Sequence, residues 1–489
     1  MKRSQAILCA AAALGVAACS SSDNKSSAGA MIGFRITASQ VDAIPVSTPV
    51  TLTVAAIDAS GNTVSGYAGT AQIVGTDVNG TSLSTTNLTF AASDKGTKNT
   101  QFATDVAGTI DVTAKDTANP NLAGSITLHT KHGAAAKLQI VGLAAAASAG
   151  DALPFTVNAL DAKGNLVKAY TGNVTVTSDD TAADLPAAYT FTATDGGAHA
   201  FGVALVTAGS RTVTVSDGTL SDHATVVVSH GAAAQFVVDQ LAPSAIAGTP
   251  VTFRITTHDR YGNVAIDYSG PVGFTSTDAA ATFGAASAFA SGRAFGSVTF
   301  ANIGAQTVTV SDTATAFSGS GGPVAVHGLV YTPPAANGRT LQVVADASST
   351  AALVVLKVVA AAPASGYSAG FNIPADASRA RVVDVAWTGG PLNPGTGPAA
   401  IAAALPGAGP LSNTLTSGIS QKAAGGGTVA TDSSIAVNNV LYAVRLAPTS
   451  ASPGIVFDGS QRFRAALRDR AGNEVLSQSD FAIGKLEIR

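Results

Sequence analysis

A motif that recurs at nearly equal spacing is the feature that most constrains the fold of this chain. It reads Asp-x-x-Gly-Asn, with a Tyr five residues after the Asn, and it begins at Asp58, Asp161 and Asp259. A His-Gly pair also closes each copy, and these histidines are 98 and 97 residues apart, at His132, His230 and His327. Agreement between two independent sets of landmarks predicts three tandem units of one fold.

The residues around each motif predict strands joined by tight turns. Apolar side chains alternate before each Asp, as in Leu52 and Val54 of the first copy, which is typical of a strand with one buried face. The Gly-Asn pair then favours a turn, because both residues tolerate positive φ. Charged residues are only 12% of the chain and glycines number 51, a mixture that serves helices poorly. We therefore predict an all-β chain of tandem β-sandwich domains with a C-terminal β-sandwich region.

The second unit resembles the Ig-like repeats of large bacterial surface proteins, of the invasin and filamin-like kind. The residues that carry the resemblance are Tyr170, Gly172, Leu185-Pro186, Tyr189 and Phe191. It implies Ig-like sandwiches over about 300 residues, although the first unit departs from the pattern after Gly69 and the third has Thr282-Phe283 in place of Leu-Pro. The predicted domains are 31–133, 134–231, 232–328 and, for the C-terminal sandwich, 329–489.

The N-terminal residues predict export and a lipid anchor. Lys2 and Arg3 precede an apolar stretch, and Val16-Ala17-Ala18-Cys19 resembles the lipobox of bacterial lipoproteins. The resemblance implies that residues 1–18 are a signal peptide and that Cys19 carries lipid, with residues 19–30 as a flexible tether. The membrane would then be a partner through this lipid, and the protein would lie in the cell envelope, at the outer membrane or the cell surface. Cys9 falls in the removed segment, so no disulfide is expected.

A change in the sign of the charge predicts where a ligand would bind. Residues 20–328 contain 13 basic and 21 acidic residues, whereas residues 329–489 contain 12 basic and 9 acidic residues. Within the second region, side chains two apart on a strand share a face. This predicts a basic stripe for an anionic ligand at Arg462, Arg464, Arg468 and Arg470. The alternative is a solvated strand face whose arginines pair with local acids.

Aromatic and turn residues in the same region give further expectations. Trp387 is the only Trp and is a candidate for aromatic contact with a sugar, the alternative being core packing. The stretch Ala399–Leu405 is predicted to form a short helix. Asp469, Gly472 and Asn473 repeat the turn of the upstream units and predict the last hairpin of a sandwich, in a layout that resembles cohesin.

Signals for catalysis and for metals are scarce in the sequence. It contains no Gly-x-Ser-x-Gly, His-Glu-x-x-His or P-loop motif, and Glu474 and Glu487 are its only glutamates. We expect no catalytic residues, no metal site and no cofactor. The repeated Asp and His residues are interpreted as turn and junction residues. Calcium binding at the Asp loops, including Asp179-Asp180, is the alternative.

These features together favour a surface-display function. We expect an Ig-like stalk that presents the C-terminal domain for adhesion, with an anionic polysaccharide or another surface protein as partner and without specific recognition of nucleic acid. The alternative is a purely structural envelope lipoprotein without a specific ligand. An enzyme in the C-terminal region is a third possibility, which converging carboxylates or a deep polar cleft would favour.

Overall fold

The computed structural model describes residues 29–335, 338–395, 401–421 and 431–489. Within these ranges the chain is built from β-strands, with three-residue 3-10 turns and no α-helix. The same ranges contain no helix long and apolar enough to cross a membrane. The predicted fold class, tandem β-sandwiches of the Ig-like kind, is confirmed. The predicted signal peptide, the acylated Cys19 and most of the tether lie outside the described residues and stay predictions.

The first group of strands spans residues 31–131. Its strands are β1 (Met31–Ala38), β2 (Ile44–Pro45), β3 (Val50–Asp58), β4 (Thr70–Thr76), β5 (Ser82–Thr89), β6 (Thr97–Phe102), β7 (Gly108–Asp116) and β8 (Ala123–Lys131). They run in the order β5-β4-β7-β8-β1-β3-β6, and β2 pairs with β8. β1 and β8 meet at a corner between Gly33 and Ala123. The alternation predicted for β3 is present, since Leu52 and Val54 are fully buried.

The second group spans residues 135–229 and repeats this arrangement as two sheets. Its strands are β9 (Ala135–Val141), β10 (Ala146–Ser148), β11 (Ala152–Asp161), β12 (Asn173–Ser178), β13 (Tyr189–Thr190), β14 (Ala198–Ala204), β15 (Gly209–Ser216) and β16 (Ser221–Ser229). The sheet orders are β14-β11-β9 and β10-β16-β15-β12-β13. These orders match β6-β3-β1 and β2-β8-β7-β4-β5 of the first group, as expected for a repeat.

The third group spans residues 233–327. Its strands are β17 (Ala233–Asp239), β18 (Ser244–Ile246), β19 (Pro250–Asp259), β20 (Val272–Ser276), β21 (Thr282–Gly284), β22 (Arg293–Thr299), β23 (Gly304–Asp312) and β24 (Ser318–His327). The sheet orders are β17-β19-β22-β21 and β18-β24-β23-β20. Phe253 and Ile255 of β19 lie in the hydrophobic core between the sheets.

The C-terminal group, residues 329–488, has a different topology. Its first strands are β25 (Leu329–Thr332), β26 (Leu341–Ala345), β27 (Val354–Ala360), β28 (Ala364–Gly366), β29 (Ser368–Pro374), β30 (Ala380–Ala386), β31 (Ile401–Ala404) and β32 (Thr414–Ser420). The others are β33 (Ser433–Ile435), β34 (Val440–Pro448), β35 (Gly454–Asp458), β36 (Arg464–Arg468), β37 (Glu474–Leu476), β38 (Phe481–Ala482) and β39 (Lys485–Ile488).

Two five-stranded sheets dominate this C-terminal group. Their orders are β30-β34-β27-β26-β38 and β31-β32-β29-β36-β37, with the smaller sheets β25-β39-β35 and β28-β33 beside them. One hydrophobic core, which includes Leu356, Phe371 and Tyr442, holds residues from both large sheets. The short helix predicted over Ala399–Leu405 is wrong where the chain is described, because β31 pairs there with β32. The predicted hairpin at Asp469 exists as β36-β37, although β38 and β39 follow it.

The Tyr of the repeated motif closes each Ig-like group. Its hydroxyl donates a hydrogen bond to an Asp at the end of a distant strand, in the pairs Tyr67–Asp116, Tyr170–Asp217 and Tyr268–Asp312. The Tyr therefore has a role in tertiary structure, because its hydrogen bond to the carboxylate joins two segments that are distant in sequence.

The chain separates into two compact units. One contains residues 1–145, 152–204 and 211–226, and the other contains residues 146–151, 205–210 and 227–489. Every sheet nevertheless draws its strands from only one of the four segments predicted from the sequence. The four domain boundaries themselves stay a prediction.

Candidate functional site

A groove on the outer face of the β31-β32-β29-β36-β37 sheet is the candidate site. It has a volume of about 760 Å³ and lies in the C-terminal group. The strands that form it bury alternate residues, among them Phe371 of β29, Ile419 of β32 and Leu467 of β36. The intervening residues of the same strands face the groove, because successive side chains on a strand point to opposite faces.

Strand register arranges the groove residues in three rows that cross the strands. One polar row is Thr416, Asn372 and Arg464. The middle row is Ala402, Gly418, Gly370 and Ala466. The second polar row is Ser420, Ser368, Arg468 and Glu474. The middle row forms a floor without side chains beyond Cβ, and the polar rows form two walls.

The floor of the groove is kept low for a steric reason. A Cβ atom on Gly370 would lie 2.6 Å from the Ser417 carbonyl oxygen, so a larger residue would displace a neighbouring strand. Equivalent residues on one strand face are about 6.6 Å apart, so the two polar rows stand roughly 13 Å apart. The result is a trough that runs across the sheet rather than along its strands.

The structure brings two of the four predicted arginines into this groove. Arg464 and Arg468 line it, whereas Arg462 precedes β36 and Arg470 lies in the turn that follows it. Strand alternation holds only between Arg464 and Arg468, because the chain turns at Asp469. There the Arg470 backbone N–H donates to Asp432 Oδ1 at 2.8 Å.

The two groove arginines differ in their partners. Nη2 of Arg468 lies 3.5 Å from Oε2 of Glu474, and Nη1 of Arg468 donates to the Gly472 carbonyl oxygen at 2.9 Å. Arg464 is exposed, and its guanidinium group has no hydrogen bond or ion pair with any other described residue. The groove therefore holds one compensated and one uncompensated guanidinium group.

Trp387 lies away from the groove. Its indole packs against the C-terminal hydrophobic core, and its Nε1–H donates to the Gly390 carbonyl oxygen at 3.1 Å. The arrangement matches the core-packing interpretation, since the polar end of a partly buried Trp usually finds a hydrogen-bond partner. Its predicted contact with a ligand stays a prediction, and Trp387 is not among the described residues that line the groove.

The sequence interpretation missed the other groove residues, although a signal was present. Both central strands read polar-x-Gly-x-polar, as 368–372 in β29 and 416–420 in β32. The pattern places polar side chains on either side of a glycine on one strand face. This pattern predicts a polar strand face with a depression at the glycine, but it does not predict which strands lie side by side.

The repeated Asp residues hold the loop that each motif forms. The Asp161 carboxylate accepts hydrogen bonds from the backbone N–H groups of Gly133, Lys163 and Asn165, at 2.8 to 2.9 Å. Asp259 makes the same set of contacts with its own neighbours. We call this loop, Asp to Asn of each motif, the Asp-Asn turn.

The Asn of the turn grips a loop of the preceding group of strands. Asn165 Nδ2 donates to the Asp105 carbonyl oxygen at 2.8 Å, and its Oδ1 accepts from the Ala107 N–H at 2.9 Å. Asn263 repeats both contacts with Val206 and Ala208, each at 2.8 Å. In its second and third copies, the motif therefore joins two successive groups of strands as well as forming a turn.

Hydrogen-bond donors occupy the carboxylates for which calcium binding was the alternative. The oxygens of Asp161 and Asp259 face N–H groups, which repel a cation. The described residues contain no group of three or more His, Cys, Asp or Glu side chains suited to a metal. Two of the three junction histidines bond locally, since Nδ1 of His132 and His230 lies 2.8 Å from the carbonyl oxygen of the next Gly, whereas the buried Nδ1 of His327 has no hydrogen-bond partner among the described residues.

The Asp-Asn turns make acid stability testable. Burial by itself raises the pKa of Asp161, but hydrogen bonds from Gly133, Asn165 and Lys163 outweigh it and lower that pKa from 3.8 to about 2. The folded chain thus binds the proton less readily than the unfolded chain. Stability from this carboxylate is fully present above about pH 4 and is lost as the pH falls through about 2.

We expect the thermal unfolding midpoint to fall over this window, with a smaller fall for Asp161→Asn, whose side chain does not titrate. Calorimetry between about pH 5 and pH 2 measures both. An identical acid dependence in the two chains would contradict this assignment.

No protein-family model and no curated protein matches the sequence. Among solved structures, the chain is similar to the Escherichia coli adhesin FdeC, with 18% identity over 61% of this chain and 99% of that chain and a TM-score of 0.35. It is also similar to invasin, a bacterial integrin-binding protein, with 14% identity over 67% and 76% of the two chains and a TM-score of 0.28. Domains 5 and 6 of the S-layer protein SbsC are similar with 24% identity over 39% of this chain and 97% of that chain, and with a TM-score of 0.17.

Proposed function

We propose that this is a lipid-anchored cell-envelope protein whose Ig-like domains display the C-terminal groove to an external macromolecule, in an adhesive role. The observation that carries the proposal is the trough on the outer sheet, with its low floor, its polar walls and the exposed Arg464. A sheet face that served only to cover the core would not need a floor of Gly and Ala between two polar rows.

The Asp-Asn turns support the display part of the proposal. Asn165 and Asn263 each hold the backbone of the preceding group by two hydrogen bonds, and backbone contacts do not depend on the side chains of the loop. These contacts tie the first group of strands to the second and the second group to the third. A stack of such domains serves as a spacer that carries its last domain away from an anchor.

The groove is tested by filling it. We expect Ala466→Trp to abolish binding of the full chain to an array of immobilised glycans and matrix proteins, because the indole would occupy the floor. Ala361→Trp, at an exposed turn outside the groove, is the matched control and should bind normally. Equal binding by the two variants would refute the groove, and no binding by the wild-type chain would favour a purely structural envelope protein.

The anchor has its own test. Metabolic labelling of cells with palmitate should give a labelled protein, and Cys19→Ala should abolish that label. Cys9→Ala, which changes the only other cysteine, should leave it intact. Persistent labelling of the Cys19 variant would refute the lipid anchor.

A further inference from the structure

We infer that the groove binds a linear acidic polysaccharide whose chain runs across the strands, with a ligand carboxylate held by Arg464. This inference rests on the proposed function, because it names the ligand class of the same groove. The direction follows from the floor, since Ala402, Gly418, Gly370 and Ala466 lie on four adjacent strands. At about 4.8 Å per strand, the floor is roughly 14 Å long and takes an extended chain.

The walls favour a ligand rich in hydroxyl groups. The side chains of Asn372, Ser368 and Ser420 make no hydrogen bonds with other described residues, and each has both a donor and an acceptor to offer. Sugar hydroxyl groups also donate and accept. A peptide strand would need backbone partners, but the backbone groups of these central strands are engaged in the sheet. Hydroxyl and amide side chains on both walls therefore fit a carbohydrate.

The charge in the groove fits a ligand whose carboxylates are widely spaced along its chain. Arg468 is compensated by Glu474, so Arg464 supplies the one uncompensated charge among the described groove residues. A guanidinium group binds a carboxylate through two parallel hydrogen bonds. Nucleic acid carries a phosphate on every residue and would need several cations, and Glu474 would repel it. One free Arg between hydroxyl-bearing walls instead matches a polysaccharide in which uncharged sugars separate the uronic acids.

Among the described residues that line the groove, none presents an exposed aromatic ring on which a sugar could stack. Phe371 belongs to the groove strands, but its ring points into the core and the residue is only 2% exposed. Affinity must therefore come from hydrogen bonds and from the charge on Arg464. Binding should weaken as salt screens that charge.

The test is titration of the full chain with hyaluronate, in which an uncharged sugar separates successive uronic acids, with neutral dextran and single-stranded DNA as comparison polymers. We expect preference for hyaluronate and a loss of about tenfold to hundredfold in affinity for Arg464→Ala, the range for one charge-assisted contact. Arg381→Ala removes an exposed charge from a strand of the other large sheet, so it should have no effect. Raising the salt concentration should weaken wild-type binding more than binding by Arg464→Ala.

The outcomes separate this inference from the proposed function. If Ala466→Trp abolishes binding while Arg464→Ala matches wild type, or if dextran binds as well as hyaluronate, the groove stands and the acidic ligand is overturned. Tighter binding of DNA would also overturn it. If Ala466→Trp has no effect on any binding, the groove itself fails.

Discussion

Asp259→Ala is expected to lower the free energy of unfolding of the third group of strands by about 3 kcal/mol, since several buried N–H groups lose their acceptor. The carboxylate is fully buried and accepts from the N–H groups of Gly231, Tyr261 and Asn263 at 2.7 to 2.9 Å, and from Asn263 Nδ2 at 2.8 Å. Its loss would also free the Asn263 side chain that grips Val206 and Ala208.

The measurement is hydrogen exchange followed by mass spectrometry, read on peptides from β17 to β24. Asp469→Ala is the matched control, because Asp469 and Asn473 form the same turn at an exposed hairpin and its loss should have a much smaller local effect. Loss of protection should extend to residues 205–208 only in the Asp259 variant. Similar small changes in both variants would show that the buried turn is not a joint.

Gly319→Ala is expected to cost a comparable amount, about 3 kcal/mol, through a backbone clash. A Cβ atom there would lie 1.8 Å from the Phe236 carbonyl oxygen, where β24 passes β17. Gly124 holds the equivalent place in the first group, 1.7 Å from the Phe34 carbonyl oxygen, so the close approach is a repeated feature of the corner between the two sheets.

Gly202→Ala provides the control for this clash. Its added Cβ would come no closer than 4.0 Å to another atom, the Leu153 carbonyl oxygen, so we expect little change. Urea unfolding of the full chain, with exchange of the β17 to β24 peptides as the local readout, compares the two variants. Equal stability of Gly319→Ala and Gly202→Ala would mean that the corner can open without cost.

Local features of the fold could be predicted from the sequence because they depend on near neighbours. The Asp-Asn turns and the strands before them follow from alternation and from residues that tolerate a tight turn. The contacts of Asn165 with Asp105 and Ala107 could not be predicted, because they join residues about 60 positions apart and depend on how two groups of strands are placed.

The candidate site shows the same limit. Alternation placed Arg464 and Arg468 on one face correctly, but it extended that face to Arg462 and Arg470, beyond the ends of β36. The trough needs β31, β32, β29 and β36 side by side, an order that the sequence does not contain. The predicted short helix is wrong over Ile401–Ala404, because pairing with β32 there overrides the helix propensity of Ala.

Protease treatment of intact cells, followed by detection of residues 329–489 in the released fraction, tests the central claim of surface display most directly. A periplasmic marker protein reports whether the envelope stayed closed. The account predicts release of C-terminal fragments from intact cells while the marker is retained. Complete protection of this region, with cleavage only after the envelope is opened, would contradict surface display and would favour a structural role inside the envelope.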